Sequence, residues 1–317
     1  MWRGRPRPWP LVLFFGKLET GFRFSNLKSE IFNLKLLLKQ ALDNAIEHLA
    51  SRDVGSPRMN AEVLLLFVLG CDRAHLYAHP ERPLTGHEES RYTEVINERA
   101  RGVPSQYIIG HQEFWGLDLI VNPSVLIPRP ETEHLIETVL ELARTRPPAP
   151  PPFRMIDVGT GSGAIALALA KEFPSSEIHA SDISAVALEV ARVNAARLEF
   201  DRVQFHQSDV LAGIVRDQSY DFVVSNPPYV ALNEEDKVQD VVKKFEPRVA
   251  VFAGTHGLDV IRRLIPQSRE ALRPGGWLLI EIGYSMSEAV IALLPDWHEV
   301  HAVPDLAGIP RVIVARK

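Results

Sequence analysis

Apolar residues at Ile31, Leu34, Leu37, Leu38, Ala41, Ala45 and Leu49 recur at three- and four-residue steps, which places them on one helical face. That texture runs over residues 29–100 and predicts a compact bundle of short helices joined by short turns. Ser56-Pro57 offers an N-cap and a first-turn proline ahead of the apolar run 61–69, which Gly70 stops. Thr85 offers a cap for a further helix through Ile96. Over residues 103–130 the period shortens. Leu117, Leu119 and Val121 alternate with Asp118, Ile120 and Asn122 beside Gly110 and Gly116, which predicts a β-hairpin linker.

A helix is predicted again over residues 131–142, and the proline run 146–152 cannot continue it. Beyond that run, strands are predicted over 153–158, 177–181, 203–207, 222–225 and 276–282, with helices over 162–172 and 185–198 between them. Such alternation folds as an α/β, mainly parallel sheet covered by helices on both faces. Ligands in such sheets bind beyond the C-terminal ends of the strands.

Composition narrows the class. A chain of 317 residues with 46% hydrophobic and 24% charged residues is expected to form one large or two modest globular domains. A formal charge of −5 gives no global reason to hold phosphate backbones, so no stable nucleic-acid partner is expected. The single cysteine, Cys71, excludes an internal disulfide and reads as a small buried hydrophobe. The eleven histidines show no ligand spacing, and no metal is expected. Residues 1–27 carry Arg3, Arg5 and Arg7 interrupted by Pro6, Pro8 and Pro10, and read as a poorly structured or mis-assigned extension. A cytoplasmic monomer is expected, with the mitochondrial matrix as the alternative if that basic start is a presequence. No apolar stretch approaches the roughly 20 residues that cross a bilayer, and no membrane partner is expected.

The candidate chemistry begins at Asp157-Val158-Gly159-Thr160-Gly161-Ser162-Gly163, which closes the first strand of the series and opens a helix. Glycines let backbone N–H groups approach a ligand, and a helix N-terminus favours an anionic group such as a carboxylate. The spacing also satisfies the dinucleotide fingerprint. Three acids at successive strand ends favour S-adenosylmethionine. Asp157 can meet the cationic amino group that a dinucleotide lacks, Asp182 can accept both ribose hydroxyls, and Asp209 can accept from the adenine amino group.

The discriminating element is Asn226-Pro227-Pro228-Tyr229, directly after the fourth strand. The prolines hold this stretch extended and offer no N–H, so the exposed groups are acceptors. The Asn226 side-chain oxygen and the Pro227 carbonyl can each take one hydrogen of a substrate NH2, while Tyr229 can pack on its plane. A planar amide nitrogen is a poor nucleophile, and holding both its hydrogens aims it at an electrophilic methyl group. The bland alternative is a rigid strand-ending turn.

In these residues the chain resembles the release factor glutamine methyltransferases, also called PrmC or HemK proteins. The resemblance covers about residues 30–317. It rests on Gln106-Tyr107-Ile108-Ile109-Gly110, Glu113-Phe114-Trp115-Gly116, Leu126-Ile127-Pro128-Arg129-Pro130-Glu131-Thr132-Glu133, the glycine loop, Asn226-Pro227-Pro228-Tyr229, and Glu246-Pro247 ahead of Gly254 and Gly257-Leu258. The Ile-Pro-Arg-Pro-Glu-Thr-Glu stretch is the specific part, because nucleic-acid methyltransferases share the Asn-Pro-Pro-Tyr element without it.

The resemblance implies a Rossmann-like, seven-stranded S-adenosylmethionine methyltransferase domain over residues 131–317. Ahead of it would lie a helical substrate-docking domain over 28–102 and the hairpin linker over 103–130. The implied reaction is N5-methylation of the glutamine in the Gly-Gly-Gln tripeptide of class I peptide chain release factors. By the same resemblance Gly159, Thr160, Gly161, Ser162, Gly163 and Asp182 hold S-adenosylmethionine. Asn226, Pro227, Pro228 and Tyr229 grip the glutamine, and Arg129, Glu131 and Glu133 lie at the mouth of the site, where they could equally be a helix-start charge cluster. Val210 stands where some relatives carry an aromatic residue, so adenine packing is expected to differ. Gly283-Tyr284-Ser285-Met286 replaces a glutamine-containing turn. The competing readings are an adenine-N6 or guanine-N2 nucleic-acid methyltransferase, whose flipped base offers the same NH2, and a non-enzymatic adaptor clamping a translation factor.

Overall fold

The computed structural model describes residues 36–214 and 219–317; the proposed extension 1–27 lies outside them. The helical period at the start becomes α1 (Leu38–Ala50), α2 (Pro57–Leu69), α3 (Arg73–Ala78) and α4 (Gly86–Ala100). Their apolar faces meet in one cluster built on Leu38, Leu42 and Leu49 of α1, Leu64 and Leu65 of α2, and Tyr92, Val95 and Ile96 of α4. Thr85 caps α4 as expected, in a reciprocal box with Glu88. Ser56 does not cap α2. It stands in the left-handed region at φ 50°, and its side chain makes no capping bond. Asn60 fastens this end instead, donating Nδ2 to the carbonyls of Gly55 and Ser56 while Oδ1 accepts from Arg99 and Ser105. Cys71 is only partly buried, and that burial pushes its thiol pKa up.

After α5 (Ser105–Ile109) comes the hairpin, β1 (His111–Phe114) and β2 (Leu117–Ile120), which occupies only the centre of the predicted linker. Trp115 and Gly116 turn it with positive φ of 53° and 67°, the handedness that matches twisted strands. The strained Trp115 is held by its surroundings. Its N–H donates to Glu133, its indole N–H to Glu172, and its carbonyl accepts from Lys171.

A single 3-10 turn, Pro130–Thr132, leads into α6 (Glu133–Thr145). The sheet series is then β3 (Arg154–Val158), α7 (Ala164–Glu172), β4 (Glu177–Asp182), α8 (Ala185–Arg197), β5 (Gln204–Gln207) and β6 (Tyr220–Ser225). It is completed by α9 (Asp240–Phe245), α10 (Arg248–Val251), α11 (Asp259–Ala271), β7 (Leu272–Glu281), α12 (Ser287–Ile291), β8 (His298–Pro304) and β9 (Pro310–Arg316). The sheet is seven-stranded in the order β5-β4-β3-β6-β7-β9-β8, with only β9 antiparallel to its neighbours.

Periodicity finds neither β8 nor β9. β8 is a largely exposed edge strand with no clean alternation, and β9 buries an unbroken run, Val312 to Ala315. Alternate residues pack on opposite faces. Met155, Phe222, Leu279 and Val314 pack against α6 and α7, whereas Ile156, Val223, Leu278 and Ile280 pack against α11 and α12.

The chain runs outward from β3 to β4 and β5, then returns to β6 beside β3, so the strand order reverses between β3 and β6. A crevice opens beyond their C-terminal ends, where a ligand can enter. Buried Asn194 of α8 joins the hairpin to that region. Its amide exchanges two hydrogen bonds with the backbone of Ile120, at 2.7 and 2.9 Å, and donates to the Ser162 carbonyl at 2.9 Å. Among the described residues no helix is long and apolar enough to cross a membrane.

Candidate active site

The crevice encloses about 860 Å3, open mouth included, and its floor is the glycine loop after β3. Gly159 and Gly161 line it, and Gly161 has a φ of 55°. A Cβ on Gly161 would meet no protein atom within 4 Å, so the bare backbone here faces space that a ligand can fill. Asp182, at the end of β4, supports the loop with one oxygen accepting from the Gly161 N–H and the other from Ser184, both at 2.9 Å. Burial raises its pKa, and the backbone donors pull it back down.

Asp157 does not line the crevice. It is fully buried beneath the loop, where Oδ2 accepts from the Thr160 hydroxyl at 2.6 Å and from the Ala166 N–H at 3.2 Å. Its Oδ1 is buried without a hydrogen-bond partner, and burial pushes the carboxyl pKa up to about 7. Thr160, Ser162 and Gly163 are likewise absent from the wall and shape the loop from behind.

Opposite the loop, Asp209 and Val210 line the crevice after β5. Asp209 forms an ion pair with Arg263 of α11, itself a lining residue that no local signal in the sequence marks. Val210 adopts a φ of 58°, unusual for a β-branched residue, and its carbonyl accepts from the Ser181 hydroxyl at 3.2 Å. Ile183, half exposed directly after Asp182, adds an apolar lining face that the reading of strand-end acids overlooks.

Asn226, Pro227 and Pro228 form the third wall. The Asn226 amide donates Nδ2 to Thr132 Oγ1 at 3.0 Å. No described residue donates to its Oδ1 or to the Pro227 carbonyl. Tyr229 turns away from the crevice wall, its hydroxyl reaching Glu281 Oε1 at 3.4 Å, and burial drives its pKa well above the ordinary value. Gly257 lets this segment sit where it does, because a Cβ there would overlap the Tyr229 carbonyl oxygen.

Arg129, Glu131 and Glu133 are not on the wall. Arg129 pairs with the buried Glu246, which also accepts from the Ile127 N–H, and Glu133 accepts from the Trp115 N–H. These bonds tie the segment 121–133 to its neighbours. The Tyr107 hydroxyl adds a bond to the Val125 carbonyl at 2.6 Å. So anchored, Ser124, Val125 and Leu126 close one side of the crevice.

Residues 40–110 match the family model of the PrmC N-terminal domain, and residues 138–248 match that of the methyltransferase small domain. The release factor glutamine methyltransferase of Koribacter versatilis is 56% identical over 282 residues, covering 89% of this chain and 99% of that protein. Its counterpart from Coxiella burnetii is 39% identical over 284 residues, with 89% and 99% covered. Among solved structures, the hMettl16 catalytic domain in complex with MAT2A 3'UTR hairpin 1 superposes with a TM-score of 0.52 at 19% identity, covering 70% of this chain and 80% of that one, a likeness of fold alone. Matched over nearly the full length of these relatives, the chain belongs to the release factor glutamine methyltransferase family.

Proposed function

We propose that this protein transfers a methyl group from S-adenosylmethionine to the side-chain amide nitrogen N5 of the glutamine in the Gly-Gly-Gln tripeptide of class I peptide chain release factors. The observation that carries the reading is the Asn226 amide. With Nδ2 committed to Thr132, its Oδ1 and the Pro227 carbonyl are left as two acceptors at the end of β6. A primary amide offers two N–H groups, and two acceptors holding both leave its nitrogen facing the crevice. Positioning of this kind converts an encounter into a near-attack geometry and needs no base beforehand, since the nitrogen's proton becomes acidic only once it is alkylated.

The residues around the loop suit the cofactor. It supplies an electrophilic methyl group at a sulfonium centre. Gly159 and Gly161 present bare backbone to it, the Asp182 carboxylate keeps lone pairs for vicinal hydroxyls, and Asp209 with the Val210 backbone can address an adenine edge. Asp157 acts from beneath: its Oδ1 is buried without a partner, and a cationic amino group held above the loop would favour its ionised form, which burial alone disfavours. The helical bundle, over the proposed docking segment 28–102, contributes to seating the release factor. Arg129 and Glu133 serve by holding the segment 121–133 in place rather than by touching substrate.

The test incubates the protein with methyl-labelled S-adenosylmethionine and, in parallel, a class I release factor, the same factor with its tripeptide glutamine replaced, and DNA or RNA. Label is expected only in the intact factor, at that glutamine by mass spectrometry. Label confined to nucleic acid overturns the reading, and no transfer to any substrate favours an adaptor.

A further inference from the structure

Arg263 of α11 is the only cation among the described residues that line the crevice, and methyl transfer itself gives it no part. Its Nη1 donates to Asp209 Oδ2, and its Nε reaches the Asp259 carbonyl, one turn back, at 3.4 Å. Both side chains of the pair are about half exposed, so the pair adds little to stability. It constrains orientation instead. One oxygen of the Asp209 carboxylate is held, and no described residue donates to the other, Oδ1.

A second bond shows that α11 grips this stretch of chain and does not merely touch it. Gln267 Oε1 accepts from the Leu211 N–H at 2.9 Å. Residues 263 and 267 share one helical face, so the grip falls at Asp209 and again two residues on. The same stretch is tied from the opposite side, where the Ser208 N–H donates to the Asp182 carbonyl at 3.0 Å and the Val210 carbonyl accepts from the Ser181 hydroxyl at 3.2 Å. Between these ties Val210 keeps a φ of 58°, which a β-branched residue holds only when its surroundings enforce it. No described residue accepts from the Val210 N–H. A donor and an acceptor, the Val210 N–H and Asp209 Oδ1, thus stand without protein partners on adjacent residues that both line the crevice.

We propose that Arg263 is a specificity-determining residue for the base of the cofactor. By holding one oxygen of Asp209 it keeps the other as an acceptor beside the Val210 N–H, so that the site takes a 6-aminopurine and rejects a 6-oxopurine. Arg263 acts through Asp209 and is a positioning residue. The inference rests on the assignment of S-adenosylmethionine above.

Adenine offers an acceptor at N1 and a donor at its 6-amino group, and hypoxanthine offers the reverse, an N1–H donor and a 6-oxo acceptor. A carboxylate can only accept and a backbone N–H can only donate. Against adenine both contacts match. Against hypoxanthine a donor meets a donor and an acceptor meets an acceptor, in a crevice where neither group can be re-paired without cost. The ion pair serves this choice twice. It stops the half-exposed Asp209 side chain from turning out to water, and it occupies a guanidinium that, left free on the wall, would itself donate to a 6-oxo group as arginine does to guanine.

The experiment measures, by calorimetry on the full-length protein, the affinities for S-adenosylhomocysteine and for S-inosylhomocysteine, which differ only at the 6-position and N1 of the base. The wild type is expected to prefer the adenine form by about 100-fold or more. Arg263→Leu is expected to cut that preference to about 10-fold or less, mainly by weakening the adenine form, while the melting temperature stays within about 3 °C. Arg263→Lys, which keeps a cation beside Asp209, retains most of the preference. Asp209→Ala loses it, and adding Arg263→Leu to that variant lowers it no further.

A folded Arg263→Leu variant that discriminates as well as the wild type, or losses that add in the double variant, overturns the proposal. Equal affinity of the wild type for the two nucleosides also overturns it and leaves the methyl donor in place. Binding of neither nucleoside by the wild type strikes the cofactor reading itself, and the proposal falls with it. None of these outcomes depends on whether a release factor is the methyl acceptor.

Discussion

The two halves of the crevice are built by different means. The half formed by residues 157–163 and Asp182 is short-range and made mostly of backbone. Adjacent parallel strands end side by side, and the loop is held by Asp157, Asp182 and its own N–H groups. The half formed by Asn226, Pro227 and Pro228 depends on side chains from distant parts of the chain, with Thr132 ahead of α6 and Glu281 at the end of β7. The first half tolerates little change because its geometry is steric. The second is held by hydrogen bonds between residues far apart in the chain, so it should be possible to damage either half without the other.

The largest expected effect lies in the second half. Asn226→Ala should lower kcat by at least about 100-fold while calorimetric affinity for S-adenosylmethionine stays within about twofold; a matching loss of affinity would show that the halves are not separable. Next comes the joint between hairpin and loop. Asn194→Ala leaves the Ile120 backbone groups and the Ser162 carbonyl without their bonds and should lower stability by about 3 kcal/mol, read from the urea midpoint at constant slope. Asp182→Ala strikes the first half and should weaken cofactor binding by about 2 kcal/mol, with calorimetry showing no change as the result that removes it from the site.

The smallest effect should come from outside both halves. His179 is buried on β4, and burial holds its imidazole pKa below the ordinary 6.5 despite the opposing pull of Glu177. The folded state therefore favours the neutral ring, and stability is lost as pH falls below 6.5 and the unfolded chain binds the proton more readily. The melting temperature should decline over that range, and less so in His179→Gln. An acid-side decline that is unaltered in His179→Gln would remove His179 as its source.

What could be read from the chain follows the same division. The glycine loop, the strand-end acids Asp182 and Asp209 and the Asn-Pro-Pro-Tyr turn are each contiguous and sit where an alternating pattern ends a strand, so periodicity locates them. Arg263, Asn194 and Glu281 carry no such signal. Arg263 is one of several basic residues on an amphipathic helix, Asn194 sits among alanines in α8, and Glu281 closes an apolar strand like many others. Arg129 and Glu133 look like substrate contacts by motif but are spent on Glu246 and Trp115. β8 and β9 escape notice because an exposed edge strand and a fully buried one both lack the period of two.

The sequence alone determined the α/β class, the helical bundle ahead of it, the glycine loop and the Asn-Pro-Pro-Tyr segment, because local propensity, capping and hydrophobic period act over a few residues. Only the tertiary structure decided that Asp157 lies under the loop, that Ser124, Val125 and Leu126 wall the crevice, that Thr132 meets the Asn226 amide, and that Glu281 meets the Tyr229 hydroxyl. Those facts depend on which residues far apart in the chain share a buried space. In such a space the direction of each hydrogen bond is set by neighbours that the linear order does not name.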